Sequence, residues 1–331
     1  MEIIEFQKKY FDALVSFCER HYPNKKNIQK ELYYNLFVLP KNSEGYRKNL
    51  LILDNGKIIG IQLYIPTQVF LEGNYKETLW GYNTLVEPAY RKTEAGLELI
   101  LHTNKLKGFG CGLSEINKKI QIKLKNKFIG QSYLFIHFNI YFYKVFLNKF
   151  NLLLKQPENF IFPTQIHEVA NTYKQVMNVE DLNILNNGYW NKDQLNTDFI
   201  RDREFIKRRF ILHYKKYYIY QSATNDVNQY AYLVVRPVLY KGINSLILVD
   251  YRFNINTPHL FNSILDATSR LSLQLKIPLV LTRCSVSKLN QELKRANFRK
   301  IGKGAEIVTN EKKATETMVT VADSDSEIVF S

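Results

Sequence analysis

The sequence predicts a mixed α/β protein built from two similar domains. Three observations support this prediction: the chain has 331 residues, the same order of helices and strands occurs twice, and a segment with two prolines and no periodicity, residues 155–164, separates the two occurrences. Domains of roughly 100 to 200 residues are typical, so a chain of this length is expected to form more than one core. We therefore expect a first domain over residues 1–154 and a second over residues 160–331.

The first half is predicted to begin with two helices and a three-strand meander. Apolar residues at helical spacing within residues 5–38, interrupted at YPNKK, predict the two helices. The alternating segment 49–88, with turn signals at DNG and EGN, predicts three antiparallel strands. Four elements are then predicted to complete the domain: a helix over residues 93–107, a short strand near Cys111–Ser114, a helix carrying Ile116, Ile120, Leu124 and Phe128, and strands within residues 132–146.

The second half is predicted to repeat this order of elements. A helix is expected over residues 191–210, three strands within 217–253, a long helix over 257–276, a strand over 278–286 and a helix over 287–298. A final strand is expected after Glu311. The long helix is predicted to bury one apolar face, formed by Leu260, Phe261, Ile264, Leu265, Leu271 and Leu275.

The chain is strongly basic, with a formal net charge of +15. The charge is concentrated, because residues 105–127 carry seven lysines and residues 201–218 carry seven basic residues. Such clusters favour an anionic partner, and nucleic acid, an anionic membrane and phosphate-bearing small molecules all qualify. The alternative is that the lysines only solvate helix faces.

Several functional classes lack support in the sequence. The most apolar segment, residues 132–150, is interrupted by polar residues, so no membrane span is expected. The N-terminus does not resemble a signal peptide, and the three cysteines are scattered, which together indicate a reduced, cytoplasmic protein. The six histidines lack metal-ligand spacing, and neither a phosphate-binding loop of nucleotide hydrolases nor a serine hydrolase motif is present.

The stretch TLVEPAYRKTEAGLELIL, residues 84–101, is predicted to join a strand directly to a helix. A helix N-terminus offers unpaired N–H groups and the positive end of the helix dipole, both of which suit a pyrophosphate. Gly96 would allow close approach of the ligand, and Arg91 and Lys92 would add positive charge. This joint is therefore predicted to bind a phosphate-bearing coenzyme.

These residues resemble the acyl-CoA signature of the GCN5-related N-acetyltransferase family. Val86 and Pro88 match the family's residues after its fourth strand, and the segment from Arg91 to Gly96 matches at its arginine and final glycine. Glu94 replaces the family's middle glycine, which places a carboxylate near the expected phosphate unless the side chain turns outward to cap the helix. The resemblance extends over nearly the whole chain and implies two tandem acetyltransferase-like domains. The equivalent joint of the second half lacks a glycine, so that half is expected to be a substrate platform.

The resemblance implies acetyl-CoA as cofactor and direct transfer of its acetyl group to a primary amine. A backbone N–H of Leu85 or Val86 would bind the thioester oxygen. The cofactor would also contact Asn117 after the fifth strand and the joint itself, which consists of Arg91, Lys92, Thr93, Glu94, Ala95 and Gly96.

Acyl transfer to an amine also needs a group that takes the amine's proton. The candidates are Glu115 and Glu87, which follow the predicted fifth and fourth strands, and Asp250 in the second half, which would bind the acceptor amine. The family's tyrosine acid is missing, because Lys123 or Leu124 stands in its place. The expected acceptor is a small amine, with an amino sugar or a sugar nucleotide as one class.

Two other functions remain open at this point. A transferase similar to the Fem-type enzymes of cell-wall synthesis would take its aminoacyl group from tRNA, which the positive charge would suit, although it would not need the joint. A non-catalytic binding module with a degenerate acetyltransferase fold would explain Glu94 and the missing tyrosine. Tight binding of CoA would favour the acetyltransferase, and salt-sensitive binding of tRNA would favour the Fem-like transferase.

Overall fold

The structure, a computed structural model, describes residues 1–41, 44–143, 168–169, 172–183, 190, 195, 197–224, 226 and 228–323. The chain divides into two compact units. The first comprises Met1–Gly130, Leu212–Tyr214 and Ala305–Thr315, and the second comprises Gln131–Ile211, Lys215–Gly304 and Glu316–Ser331. The proline-containing segment 155–164 lies outside the described residues, so the domain ranges 1–154 and 160–331 stay a prediction.

The first unit is a mixed sheet with helices on both faces. Its strands are β1 (Glu2–Glu5), β2 (Leu50–Asp54), β3 (Lys57–Leu71), β4 (Asn74–Val86) and β5 (Gly108–Cys111), joined by the second half of β14 (Arg299–Thr309). The spatial order is β1-β2-β3-β4-β5-β14, and β4 and β5 are the parallel pair. Its helices are α1 (Phe11–His21), α2 (Ile28–Tyr33), α3 (Ala95–Asn104) and α4 (Glu115–Lys123).

Strand β2 shows how this sheet is covered on both sides. Its side chains alternate between the two faces, as the pleat requires. Leu51 packs in one cluster with Leu14 of α1 and Leu32 of α2, whereas Ile52 packs in another with Leu99 of α3. Helices α1 and α2 therefore cover one face and α3 covers the other.

The second unit also contains a mixed sheet. Its strands are β6 (Lys127–Phe138, from residue 131), β7 (Glu168–Val169), β8 (Tyr173–Val176), β10 (Tyr218–Ser222), β11 (Ala231–Tyr240), β12 (Ile243–Phe253) and β13 (Leu279–Cys284). The short strand β9 (Thr197–Phe199) belongs to this unit but lies outside the strand order of this sheet. Its helices are α5 (Arg203–Ile206), α6 (Pro258–Gln274) and α7 (Ser287–Arg295). The predicted apolar face of α6 is confirmed, since Leu260, Phe261, Ile264, Leu265, Leu271 and Leu275 are all buried.

Two local predictions are wrong in their details. The short strand lies at Gly108–Cys111 and not at Cys111–Ser114, because Ser114 caps α4 through its Oγ, which accepts from the Asn117 N–H over 3.2 Å. In the second unit, residues 197–199 are a strand, so within the described part of 191–210 the expected helix begins at Arg203, where the Asp202 side chain caps it.

The expected strand after Glu311 is absent from the described residues 312–323. Side chains satisfy the backbone of this segment instead. The Oγ of Ser285 donates to the Thr317 carbonyl over 2.6 Å and accepts from the Val319 N–H over 2.8 Å. A short 3-10 turn, Val321–Asp323, ends the described chain.

Within the described residues, no helix has both the length and the apolar character needed to cross a membrane.

Candidate active site

Strand β4 extends beyond its parallel neighbour β5 at its C-terminal end. The two strands pair from Leu79 opposite Gly108 to Gly81 opposite Gly110. Strand β5 ends at Cys111, whereas β4 continues to Val86. The close approach of the paired part depends on Gly108, where an added Cβ would lie 2.8 Å from the Leu79 carbonyl oxygen. The last residues of β4 therefore present an open edge.

The pairing of β4 with β3 determines which N–H groups point to this open edge. Glu87 donates its N–H to the Ile59 carbonyl over 2.8 Å, and Val86 and Leu85 lie opposite Gly60 and Ile61. Because antiparallel partners alternate between bonded and non-bonded pairs, the N–H of Leu85 is directed to β3 and that of Val86 away from it. Among the described residues the Val86 N–H has no hydrogen-bond partner.

A short turn, Pro88–Tyr90, leads from β4 into α3. The Arg91 side chain folds back, and its Nε donates to the Val86 carbonyl over 3.0 Å. The Thr93 hydroxyl accepts from the Ala95 N–H over 3.3 Å. The next two N–H groups, those of Gly96 and Leu97, have no partner in the part of the chain that the structure describes. They are donors at the positive end of α3.

The predicted joint presents its charged side chains to solvent. Arg91, Lys92 and Glu94 are all exposed, and the Glu94 side chain makes no capping hydrogen bond to the helix. A larger side chain at position 96 would meet no close obstacle in its first atom, since the nearest atom to an added Cβ would be Val86 Cγ2 at 3.9 Å. The surface beside the free N–H groups is open.

Glu87 follows Val86 and is paired with the end of α1. Arg20 Nη2 lies 2.9 Å from Glu87 Oε1, and His21 Nε2 lies 3.5 Å from its Oε2. The hydrogen bond from Arg20 holds the pKa of Glu87 below its usual value, although partial burial opposes it, and the charges of His21 and Lys57 act in the same direction as Arg20. Glu87 is therefore an ionised carboxylate at neutral pH.

Glu115 and Asn117 lie in the first turn of α4. Glu115 is exposed, and Asn117 Oδ1 accepts from the side chain of Gln121 over 3.0 Å. Lys118, in the same turn, pairs with Glu306 of β14 over 2.6 Å. Glu115 is thus the more solvated of the two carboxylates proposed from the first half of the sequence.

Asp250 belongs to the second unit and is fully buried. Its Oδ2 accepts from Arg201 Nε over 2.9 Å and from the Tyr232 hydroxyl over 2.8 Å, and its Oδ1 accepts from the Thr320 hydroxyl over 2.7 Å. Burial would raise the pKa of Asp250, but the charges of Arg201 and Arg252 outweigh burial and lower it. These partners occupy the carboxylate of Asp250.

The sequence did not indicate that Asn83 forms a bulge in β4. The register with β3 passes from Thr84 opposite Gln62 to Tyr82 opposite Leu63, so Asn83 has no opposite residue. Its φ is 49°, in the left-handed region that asparagine tolerates better than most residues. The bulge lies just before the open edge and redirects it.

Among the described residues, no group of three or more His, Cys, Asp or Glu side chains could hold a metal ion.

Solved structures of low sequence identity share this fold. A GCN5-related N-acetyltransferase from Anabaena variabilis aligns at a TM-score of 0.58 with 13% identity, covering 92% of this chain and 72% of that one. A probable N-acyltransferase from Enterococcus faecalis aligns at 0.57 with 10% identity, covering 92% and 71%. Saccharomyces cerevisiae N-myristoyltransferase with bound myristoyl-CoA aligns at 0.59 with 11% identity, covering 96% and 84%.

The sequence itself matches no protein-family model and no curated protein. The structural likeness confirms the predicted fold, a mixed α/β arrangement of tandem acetyltransferase-like domains. At this level of identity the likeness defines the fold, and the chemistry has to be argued from the residues of this chain.

Proposed function

We propose that the protein is an N-acyltransferase that moves an acetyl group from acetyl-CoA to a primary amine of a small acceptor. One observation carries the proposal. The unpaired N–H of Val86, at the open edge of β4, is followed within eleven residues by the unpaired N–H groups of Gly96 and Leu97 at the start of α3. The shared fold supports the same assignment, since neighbours with this fold are described as N-acyltransferases.

The residues of the joint fit a CoA pyrophosphate. The N–H groups of Gly96 and Leu97 would donate to phosphate oxygens, and Arg91 and Lys92 would supply positive charge from the exposed side. The open space around Gly96 admits the ligand's close approach. Glu94 is exposed, so its carboxylate is free to stay in water.

Val86 would stabilise the reacting carbonyl. Bound acetyl-CoA supplies an acyl thioester, whose carbon is open to direct attack by an amine. The Val86 N–H is the donor we assign to its oxygen, in preference to the Leu85 N–H, which is directed to β3. Because that donor is fixed in the strand, it needs no reorganisation when negative charge develops on the oxygen.

Glu87 is the base we assign, either directly or through a water molecule. It would take the proton that the amine loses as the new C–N bond forms and the C–S bond breaks. Its lowered pKa keeps it ionised, at the cost of weaker basicity. Glu115 is the alternative base, and Asn117 would contact the cofactor beside it.

An amino sugar or a sugar nucleotide is the acceptor class we propose, since basic side chains would also bind a nucleotide's phosphates. The three cysteines are free, which suits a reducing compartment, and we propose the cytoplasm.

Isothermal titration with acetyl-CoA tests the proposal, with Gly96→Ala and Gly96→Trp as a matched pair. Alanine fits the 3.9 Å space and should retain binding, whereas tryptophan should block the joint and abolish it. A titration with myristoyl-CoA decides between short and long acyl groups. Failure of the wild type to bind either thioester would reject the assignment, and steeply salt-dependent binding of tRNA would favour the Fem-like alternative.

A further inference from the structure

A buried glutamine of β3 lies beside the bulge of β4. Gln62 is opposite Thr84, and the next pair along the two strands is Leu63 opposite Tyr82. Asn83, the extra residue of β4, therefore enters the strand next to Gln62. Gln62 is only 6% exposed to solvent. A buried side-chain amide has two N–H donors and an oxygen acceptor that all need partners.

The Gln62 amide has these partners on both sides of the bulge. Its Nε2 donates to the Leu63 carbonyl over 3.0 Å and to the Tyr82 carbonyl over 3.3 Å. Its Oε1 accepts from the Thr84 hydroxyl. A bulge disrupts the ladder of backbone hydrogen bonds locally, so a side chain that supplies donors there stabilises it. Gln62 thus joins the two residues of β4 that flank Asn83.

A second contact holds Asn83 itself. Tyr22, directly after α1, donates its hydroxyl to Asn83 Oδ1 over 3.2 Å. This contact is to the side chain of the bulged residue. Gln62 instead binds the backbone on one side of the bulge and the Thr84 side chain on the other. Gln62 is therefore the contact that opposes a shift of β4 against β3.

The bulge determines which backbone N–H faces the open edge. N–H directions alternate along a strand, so one extra residue reverses the alternation in the residues that follow it. With the bulge present, Glu87 donates to the Ile59 carbonyl, and the Val86 N–H is directed away from β3. If the bulge were lost, every later residue of β4 would shift by one position against β3. Val86 would then donate to the Ile59 carbonyl, and Leu85 would direct its N–H to the open edge.

We propose that Gln62 is a positioning residue for acyl transfer. Its amide holds the bulge in place, and the bulge directs the Val86 N–H to the oxygen of the thioester. The inference rests on the proposed function and extends it to a side chain that touches none of the reacting atoms. Gln62 acts through the backbone of β4, whereas the pyrophosphate would bind at the start of α3.

Gln62→Leu tests this role, with Gln68→Leu as the matched control. Leucine is similar in size but offers neither the donors nor the acceptor. With glucosamine as the probe acceptor and CoA release as the readout, kcat should fall by about tenfold or more, because the oxyanion donor is displaced. The Kd for acetyl-CoA should stay within about twofold, since the N–H groups at the start of α3 are unchanged. Gln68 lies on the same strand and contacts Glu77 away from the bulge, so its variant should match the wild type.

Amide hydrogen exchange reports on the bulge without any substrate. In the wild type the Leu85 N–H, which is directed to β3, should exchange more slowly than the Val86 N–H by about tenfold or more. Gln62→Leu should remove or reverse this difference, and Gln68→Leu should keep it. NMR of protein labelled at leucine and valine nitrogen measures both rates, and Leu85→Ile and Val86→Ile identify the two signals.

The outcomes separate this inference from the proposed function. If Gln62 only stabilises the core, Gln62→Leu will lower Tm but leave kcat and the order of the two exchange rates unchanged, which overturns the inference. If the wild type does not bind acetyl-CoA, the proposed function fails. The exchange rates then decide by themselves whether Gln62 holds the bulge, as they do if glucosamine is not acetylated. If Gln62→Leu does not fold, Gln62→Met, a straight side chain of the same length, replaces it with the same expected results.

Discussion

Arg201 donates from Nε to Asp250 Oδ2 over 2.9 Å, and neither side chain has any exposure to solvent. Arg252 Nη1 lies 3.2 Å from the other carboxylate oxygen, and Asp323 pairs with Arg201 over 2.5 Å. Two positive and two negative side chains are thus buried together. Removing one partner from such a group is costly, because it leaves a charge without compensation in a medium of low dielectric constant.

Asp250→Asn should therefore lower the free energy of unfolding by about 3 to 5 kcal/mol. Urea denaturation measures this loss, and Asp266→Asn is the matched control. Asp266 pairs with Arg270 at the surface, where both side chains are more than half exposed, and should contribute no more than about 1 kcal/mol. Normal stability of Asp250→Asn with lost turnover would instead support the catalytic role that the sequence suggested.

The lowered pKa of Asp250 also predicts how stability depends on pH. A carboxylate whose pKa is lower when folded stabilises the protein above its unfolded pKa of about 4, and this contribution is lost as pH falls through the folded value. The wild type should lose stability as pH drops below about 4. In Asp250→Asn this part of the dependence of the unfolding free energy on pH should be missing. Urea denaturation at a series of pH values from about 3 to about 7 would measure it for both proteins.

Proline substitutions test the assignment of the Val86 N–H. Val86→Pro removes a donor that points away from β3, and kcat should fall by about 100-fold, the usual effect of losing one oxyanion donor. Leu85→Pro removes a donor that β3 uses, so it should destabilise the fold more strongly. Thermal unfolding and kcat together separate the two. Full activity in Val86→Pro would reject the assignment.

Variants of Glu87 and Arg20 test the base. Glu87→Gln should lower kcat by about 100-fold or more if Glu87 accepts the proton. Arg20→Met removes the hydrogen bond that lowers the pKa of Glu87, so the acidic limb of kcat/KM against pH should move to higher pH. If the limb does not move, Glu87 is not the group that limits the rate at low pH, and its assignment as the base fails.

A steric contact between β14 and β6 gives a further prediction. A Cβ on Gly304 would lie 2.4 Å from Cε1 of Tyr133, whose ring also has the ammonium of Lys300 3.6 Å from its centre. Gly304→Ala should destabilise the protein by about 1 to 3 kcal/mol. In the Tyr133→Ala background the same change should cost much less, and a double-mutant cycle by urea denaturation measures the difference.

Elements with strong local patterns were predictable from the sequence. The apolar residues of α6 recur at helical spacing, and those of the meander β2-β3-β4 alternate with polar residues between turn signals. Both patterns are local, so the sequence alone predicts these elements. Strand β14 was missed because RKIGKGAEIVT contains two glycines and little apolar alternation. Its stability comes from partners that are distant in sequence, such as Cys111 opposite Ile307. Local propensity contains no information about them.

The candidate site likewise combines one feature that the sequence predicts with features that it does not. The joint from Arg91 to Gly96 is a local motif, and the sequence placed it directly before or at the start of α3. The bulge at Asn83 depends on the register between two strands, and the pairing of Glu87 with Arg20 joins residues that are 67 positions apart. Neither has a local signal beyond the preference of asparagine for positive φ.

The sheet of the first unit is completed by a strand that lies far along the chain from its other strands. Strand β5 pairs with Ile307, Val308 and Thr309, about 175 positions after Gly130. At synthesis rates of about 5 to 20 residues per second, the edge of β5 would wait roughly 10 to 40 seconds for this strand. An unpaired edge invites pairing with other chains. Nascent chains that stall before Ala305 should thus be aggregation-prone, because the first unit cannot complete its sheet until β14 has been synthesised.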